Sequence, residues 1–401
     1  MSPSMIPHDR ECTPAFAWRG FMLDCARTFW QPELIHEIIT LLGRYGFNRL
    51  HLHLTDDAGW RIQIPEFPEL TQTGAHLPRE AFDWYDNVDS DKRAVMIASA
   101  PQDSTWGYYT DDEIREIITH ASSEGIEVIP EIDLPGHMHA AIRSYPELGD
   151  PALAKLPPEH WSHRNDLLWP TDQSWALIDA ALTHVALLFP SPIIHIGGDE
   201  CRFEAWENDH ALMDSLASQG IHSGRQLQES MTRRALEILH SLGKHAAGWD
   251  ELTEIAPADV LDDTLIIAWR GFGEGPRRAA LSGQPWVYGC CDQLYLNRLA
   301  GPAQEEPAAM FGVITPERIL TEVMEAITQA ASAPIGIQAA LWCEFVPTRE
   351  QLFYQLFPRL LAVAEVAWHG LDALDGTEMR ERIDTEMEWL ASQGVRDRSR
   401  S

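Results

Sequence analysis

Short apolar runs recur along the chain, separated by longer stretches in which apolar residues return every three or four positions. The runs are Gly20–Asp24, Arg49–Leu54, Glu127–Ile132, Ile193–Ile196, His245–Trp249, Leu265–Trp269, Pro285–Tyr288 and Ile335–Leu341. Such runs read as strands buried on both faces, as in a parallel sheet. Pro32–Tyr45, Asp111–Glu124, Gln173–Leu188, Gly224–Leu242, Pro316–Ala330 and Thr348–Trp368 carry the helical period. Pro32 and Pro316 suit a first helical turn, where the missing N–H is not needed. Thr110-Asp111-Asp112-Glu113 reads as a capping box. Strand–helix alternation around eight strands predicts a parallel (β/α)8 TIM barrel over residues 18–371, after an N-terminal segment of 1–17 and before a C-terminal helix and frayed tail over 372–401. A doubly wound open sheet is the nearest alternative. It lacks support, because no glycine-rich phosphate turn follows the first strand.

In such a barrel, chemistry gathers where strands end. Asp24 and Arg27 follow the first run, Asp56 the second, Asp133 and His137 the third, and Asp199 and Glu200 the fourth. Trp249 ends the fifth run, Trp269 the sixth, Tyr295 follows the seventh, and Trp342 and Glu344 follow the eighth. Two long connections, Thr55–Tyr109 and Asp133–Asp172, are expected to shape a cleft. Trp84, Trp106, Trp161 and Trp169 lie on them as candidate sugar platforms, with loop packing as the alternative.

The most informative run is Ile193-Ile194-His195-Ile196-Gly197-Gly198-Asp199-Glu200. An apolar strand ends in two glycines, which permit close approach to the backbone, and then presents two adjacent carboxylates. Two carboxyls in different surroundings take different pKa values, which is how acid/base catalysis is built from identical groups.

Composition narrows the partners. The 401 residues carry a formal net charge of −31, which disfavours nucleic acid and anionic membrane surfaces. Fifteen tryptophans suit either a carbohydrate cleft or a large core. Residues 1–18 lack an apolar leader segment, so the chain is expected to be cytoplasmic and its six cysteines reduced.

Seven motifs in order then carry a resemblance: R-G-F-M-L-D-C-A-R (19–27), H-L-H-L-T-D-D-A-G-W-R (51–61), P-E-I-D-L-P-G-H (130–137), H-I-G-G-D-E (195–200), G-W-D-E (248–251), A-W-R-G (268–271) and Q-A-A-L-W-C-E (338–344). The chain resembles glycoside hydrolase family 20, the β-N-acetylhexosaminidases, without the small domain that often precedes the barrel.

The resemblance implies a substrate-assisted reaction on an N-acetylhexosamine-containing oligosaccharide, in which the sugar's own 2-acetamido oxygen attacks the anomeric carbon. No cofactor and no metal are implied. Glu200 would protonate the leaving oxygen, and burial would raise its pKa; Asp199 would orient the acetamido N–H, and Tyr295 would bond the acetamido oxygen. Asp56 and His137 would complete a relay to Glu200. Trp249, Trp269 and Trp342 would wall the sugar, Arg27 would grip its 3- and 4-hydroxyls, and Glu344 its 4- and 6-hydroxyls. Asn297 departs from the family, which usually has aspartate there; an uncharged amide suggests a 6-modified or anionic sugar is better tolerated.

Three rivals are kept. One is a metal-dependent hydrolase built on His51, His53, His137 and His139. Another is a sugar-binding barrel without turnover. The third is a related enzyme that releases a disaccharide. Cys25, Cys201 and Cys343 each adjoin a proposed site residue, either as reactive thiols or as small core hydrophobes.

Overall fold

The computed structural model describes residues 13–82, 88–153, 166–373 and 376–395. Eight parallel strands close into a barrel: β1 (Trp18–Asp24), β2 (Arg49–His53), β3 (Glu127–Glu131), β4 (Ile193–His195), β5 (His245–Trp249), β6 (Leu265–Ala268), β7 (Trp286–Tyr288) and β8 (Gly336–Leu341). Each strand pairs with its sequence neighbours, and β8 closes on β1 from Trp18↔Gly336 to Leu23↔Leu341. This is the expected (β/α)8 barrel.

The period of two that buries both faces is visible in the packing. Phe21, Leu23, Leu50, Leu52, Ile194 and Ile266 pack outward against the helices. Trp18, Ile129, Ala247, Trp249, Leu265, Ile267 and Val287 fill the interior. On the β2–β4 side the interior is polar instead: His51, His53, Glu131 and His195 are fully buried there.

Helices over Pro32–Arg44, Asp111–Ser123, Asp172–Leu188, Gly224–Ser241 and Pro316–Thr328 surround the barrel. Thr110 caps its helix in the reciprocal box expected, with Glu113 reaching back. Thr348–Trp368 is not one helix. It divides into Arg349–Leu356 and Arg359–His369 at Pro358, which lacks the N–H a continuing helix needs. A helix over Glu274–Ser282 supplies the crossover between β6 and β7; its glycine and proline hide it from a pattern reading. Among the described residues, no helix is long and apolar enough to cross a membrane.

The connection after β2 opens with a hairpin, Thr55–Asp56 against Gly59–Trp60. Behind it Arg61 is fully buried, donating to the carbonyls of Ala26, Ala75, Thr105 and Gly107. One guanidinium thereby ties the loop after β1 to two distant parts of the loop after β2.

Candidate active site

Past β4 the backbone turns sharply, with φ 66° at Gly197 and 101° at Gly198. A Cβ on Gly197 would stand 1.7 Å from Asp133 Oδ1, and one on Gly198 2.5 Å from Leu252 Cδ2. The glycines let Asp133 and Leu252 close on the turn. Asp133 Oδ1 then accepts the Gly198 N–H at 3.1 Å. The turn delivers Asp199 and Glu200 to one cavity of about 370 Å³, lined also by Arg27, Asp56 and His137. This volume is in the range of small-molecule sites. The Asp199 residue is 7% exposed, and its Oδ1 makes no hydrogen bond among the described residues. The Glu200 side chain is 48% exposed, at the mouth. Glu200 and His137 both hold left-handed backbone, φ 49° and 53°, a strained conformation that concentrates at functional sites.

His137 bridges carboxylates. Its Nδ1 lies 3.2 Å from Asp57 Oδ2 and 3.6 Å from Asp56 Oδ2; its Nε2 lies 3.5 Å from Glu200 Oε2 and 3.8 Å from Asp199 Oδ2. Asp56 in turn binds Arg27 Nη2 at 2.8 Å. Burial opposes a charged imidazole, but Asp56, Asp57 and Glu200 outweigh it and raise the His137 pKa well above its ordinary value. Burial likewise opposes the Asp56 carboxylate, yet Arg27 and His137 hold its pKa far below the usual range.

Two expectations are corrected here. Asp57, not Asp56, is the nearer partner of His137, and its other oxygen accepts the His139 N–H at 3.1 Å. The first aspartate of the pair is drawn away by Arg27; the second was overlooked though it stands in the same motif. The Glu200 pKa is lowered, not raised, chiefly by the hydrogen bond from His137. Asp199 carries the raised pKa instead, through burial and then its neighbour Asp133.

Aromatic rings form the cavity's apolar wall. Trp269 and Tyr295 stack with centroids 6.0 Å apart and planes at 11°. Trp342 lies 6.0 Å from Tyr295, and Arg27 sits over its face at 5.0 Å. Glu251 fixes Trp269 by accepting its Nε1–H at 2.9 Å. The third expected wall, Trp249, is corrected: it is 1% exposed in the barrel interior, donating to Glu131 at 2.8 Å, and does not line the cavity. It supports Trp342 from 5.9 Å below. Asn297 and Glu344 line the cavity, and Asn297 Oδ1 and Glu344 Oε2 make no hydrogen bond among the described residues. Burial pushes the Glu344 pKa up to about 7. Arg298, Met310 and Phe311 complete the rim. Arg298 was findable as the neighbour of Asn297; nothing in the local pattern marks the other two.

Residues 16–371 match the profile of "Glycosyl hydrolase family 20, catalytic domain". The chain belongs to glycosyl hydrolase family 20. A beta-hexosaminidase of Vibrio furnissii is 36% identical over 374 residues, covering 90% of this chain and 58% of that protein. One from Porphyromonas gingivalis is 32% identical over 388 residues, covering 95% of this chain and 47% of that protein. The solved structure of the family 20 exo-β-N-acetylglucosaminidase from Vibrio harveyi, in complex with N-acetylglucosamine, has a TM-score of 0.79 at 33% identity, covering 96% of this chain and 59% of that one. The chain spans about half the length of the curated relatives it matches.

Within this family 20 barrel, the histidines of the metal-hydrolase rival are divided. His51, His53 and His195 converge on one carboxylate, Glu131, at 3.1, 2.5 and 2.8 Å, as a buried cluster beneath the cavity in which His53 makes the hydrogen bond. His137 alone of the four histidines proposed lines the cavity. Burial raises the Cys25 thiol pKa to about 12 and lifts those of Cys201 and Cys343 well above the ordinary value, as for small core side chains. Of the candidate platforms, Trp169 is buried in the core, and Trp106 is exposed beside His76, outside the cavity lining. Trp84 and Trp161 lie outside the described residues.

Proposed function

We propose that this family 20 chain is a retaining exo-β-N-acetylhexosaminidase that removes terminal non-reducing GlcNAc or GalNAc by substrate-assisted catalysis. One observation carries the reading: adjacent carboxyls of opposite character, a buried Asp199 with an oxygen that has no partner among the described residues and a half-exposed Glu200 on His137, face one cavity with Trp269, Tyr295 and Trp342. The acetamido carbonyl oxygen attacks the anomeric carbon while Glu200 gives its proton to the departing glycosidic oxygen. Asp199 accepts the acetamido N–H and balances the positive oxazolinium ring. Tyr295 O–H donates to the acetamido oxygen, and the indoles press that group toward the anomeric carbon. Water then attacks the anomeric carbon from the vacated side, returning its proton to Glu200, with retention of configuration.

The pKa order of the two carboxyls is the reverse of the working order, and substrate binding supplies the change. A bound sugar covers Glu200, and desolvation raises its pKa toward the acid form. The acetamido N–H and the growing positive charge favour ionised Asp199 in the same step. The names of the Vibrio relatives, a beta-hexosaminidase and an exo-β-N-acetylglucosaminidase, support the substrate class. Chromogenic β-glycosides of GlcNAc, GalNAc and glucose test it. Both acetamido sugars are expected to turn over and the glucoside to be essentially inert; a glucoside rate comparable to that of GlcNAc would exclude acetamido participation.

A finer reading concerns the rim. Asn297 is uncharged where the family usually carries aspartate, and the Arg298 guanidinium lines the same cavity. These favour a sugar carrying an anionic group at its 6-position.

A further inference from the structure

Below the catalytic cavity lies a second set of ionisable groups that the proposed reaction does not use. His53, at the end of β2, is fully buried. Its Nδ1 stands 2.5 Å from Glu131 Oε2 and its Nε2 3.0 Å from Asp56 Oδ2. A neutral imidazole has one N–H and one lone pair, so it would aim a lone pair at a carboxylate oxygen. Both nitrogens donate only if His53 is an imidazolium. Glu131 cannot readily give up its charge either, since His51, His195 and the Trp249 indole also face it at 3.1, 2.8 and 2.8 Å.

This pair connects upward through Asp56. Asp56 Oδ2 meets His53 at 3.0 Å and Arg27 at 2.8 Å, while His137 stays at 3.6 Å and turns to Asp57. We propose that the buried His53–Glu131 ion pair is a positioning device for the proton relay: the His53 cation holds Asp56 ionised and turned toward Arg27, which leaves His137 to Asp57 and Glu200. The relay is thereby rooted in the barrel axis rather than ending at Asp56. The groups around His53 are His51 on β2, Glu131 on β3, Asp133 after β3 and Asp56 in the hairpin. Asp24 pairs with it in register from β1, and the Trp342 ring meets it edge-on at 4.8 Å. His53 alone among these touches both Glu131 and Asp56.

The inference rests on the relay reading above, and the experiment separates the two. The double variant His53→Gln with Glu131→Gln removes both charges together, keeps the volumes and leaves net charge unchanged. It takes the nearer positive end of the pair away from His137 and Glu200, so both should titrate higher. The basic limb of kcat/KM for a chromogenic GlcNAc glycoside is expected to move up by about half a pH unit to one unit. A merely structural role would lower kcat/KM or Tm and leave the limb where it was, and that result overturns the proposal. Nitrogen-15 histidine NMR of the wild-type protein needs neither variant nor turnover. His53 is expected to keep both ring protons through pH 8; a His53 signal of a neutral ring at pH 7 also overturns it. If the imidazolium is seen and no GlcNAc glycoside is cleaved, the proposed function fails and the buried pair stands.

Discussion

His137 Nε2 lies 3.5 Å from the Glu200 carboxylate. A proton held on that nitrogen is within one short movement of the group that must deliver it.

Glu200→Gln should therefore lower kcat by about 10²–10⁴-fold for poor leaving groups. An activated aryl leaving group needs less proton assistance and should lose less. The basic limb of the pH–rate profile should vanish with the carboxyl. Rates for alkyl and nitrophenyl glycosides across pH check this; equal losses for both, with the basic limb intact, would remove Glu200 from the acid's role.

Asp199→Asn should inactivate and stabilise at once. The Asp199 pKa is raised in the folded state by burial and by Asp133. Below the unfolded value of about 3.9 both states hold the proton, and the group has no effect on stability. As pH rises through that value the unfolded chain ionises first, so the folded state loses relative stability up to the folded pKa. The asparagine avoids this loss. Thermal melts should show a Tm higher by a few degrees at pH 7.5 and little difference near pH 3.5. An equal Tm at both pH values would contradict the raised pKa.

Asn297→Asp places a carboxylate on the rim beside Arg298. Turnover of a 6-sulfated GlcNAc glycoside should fall by about tenfold or more through like-charge repulsion, while that of plain GlcNAc is kept or improved. Paired kcat/KM values on the two substrates measure it, and an unchanged ratio would separate Asn297 from recognition at the 6-position.

Arg61→Lys keeps the charge but cannot reach four carbonyls in three loop segments. A loss of about 2–4 kcal/mol is expected. Protease nicking should begin in the connection after β2, ahead of the barrel. Urea unfolding and limited proteolysis test this; wild-type resistance to both would show that the loops are held elsewhere.

The barrel was legible because parallel strands buried on both faces leave continuous apolar runs, and seven of the eight bounds differ from the structure by no more than one residue at either end. Gly20 begins its apolar run late only because Trp18 and Arg19 extend the strand to pair with Gly336 and Ile337. The catalytic wall was legible where a residue follows a strand directly, as Trp269 and Trp342 do. Trp249 shows the limit of that rule: it is the last residue of β5, still inside the pleat, and so points into the axis rather than the cavity. Adjacent aspartates defeated the pattern in another way. Asp56 and Asp57 are chemically identical, and Arg27, brought in by the loop after β1, divides their duties together with His53. Met310 and Phe311 reach the rim by a two-stranded ladder with Arg298–Leu299, a contact with no periodic signal.

The histidine–glutamate axis sets a limit on engineering. Repacking the centre of a barrel with aliphatic side chains is an ordinary route to heat resistance, and in this protein that route would pass through the charges that hold the acid's supply line in tune. Tougher versions are better sought in the helical shell, where residues such as Phe21, Leu23, Leu50 and Leu52 pack the outward faces of the strands.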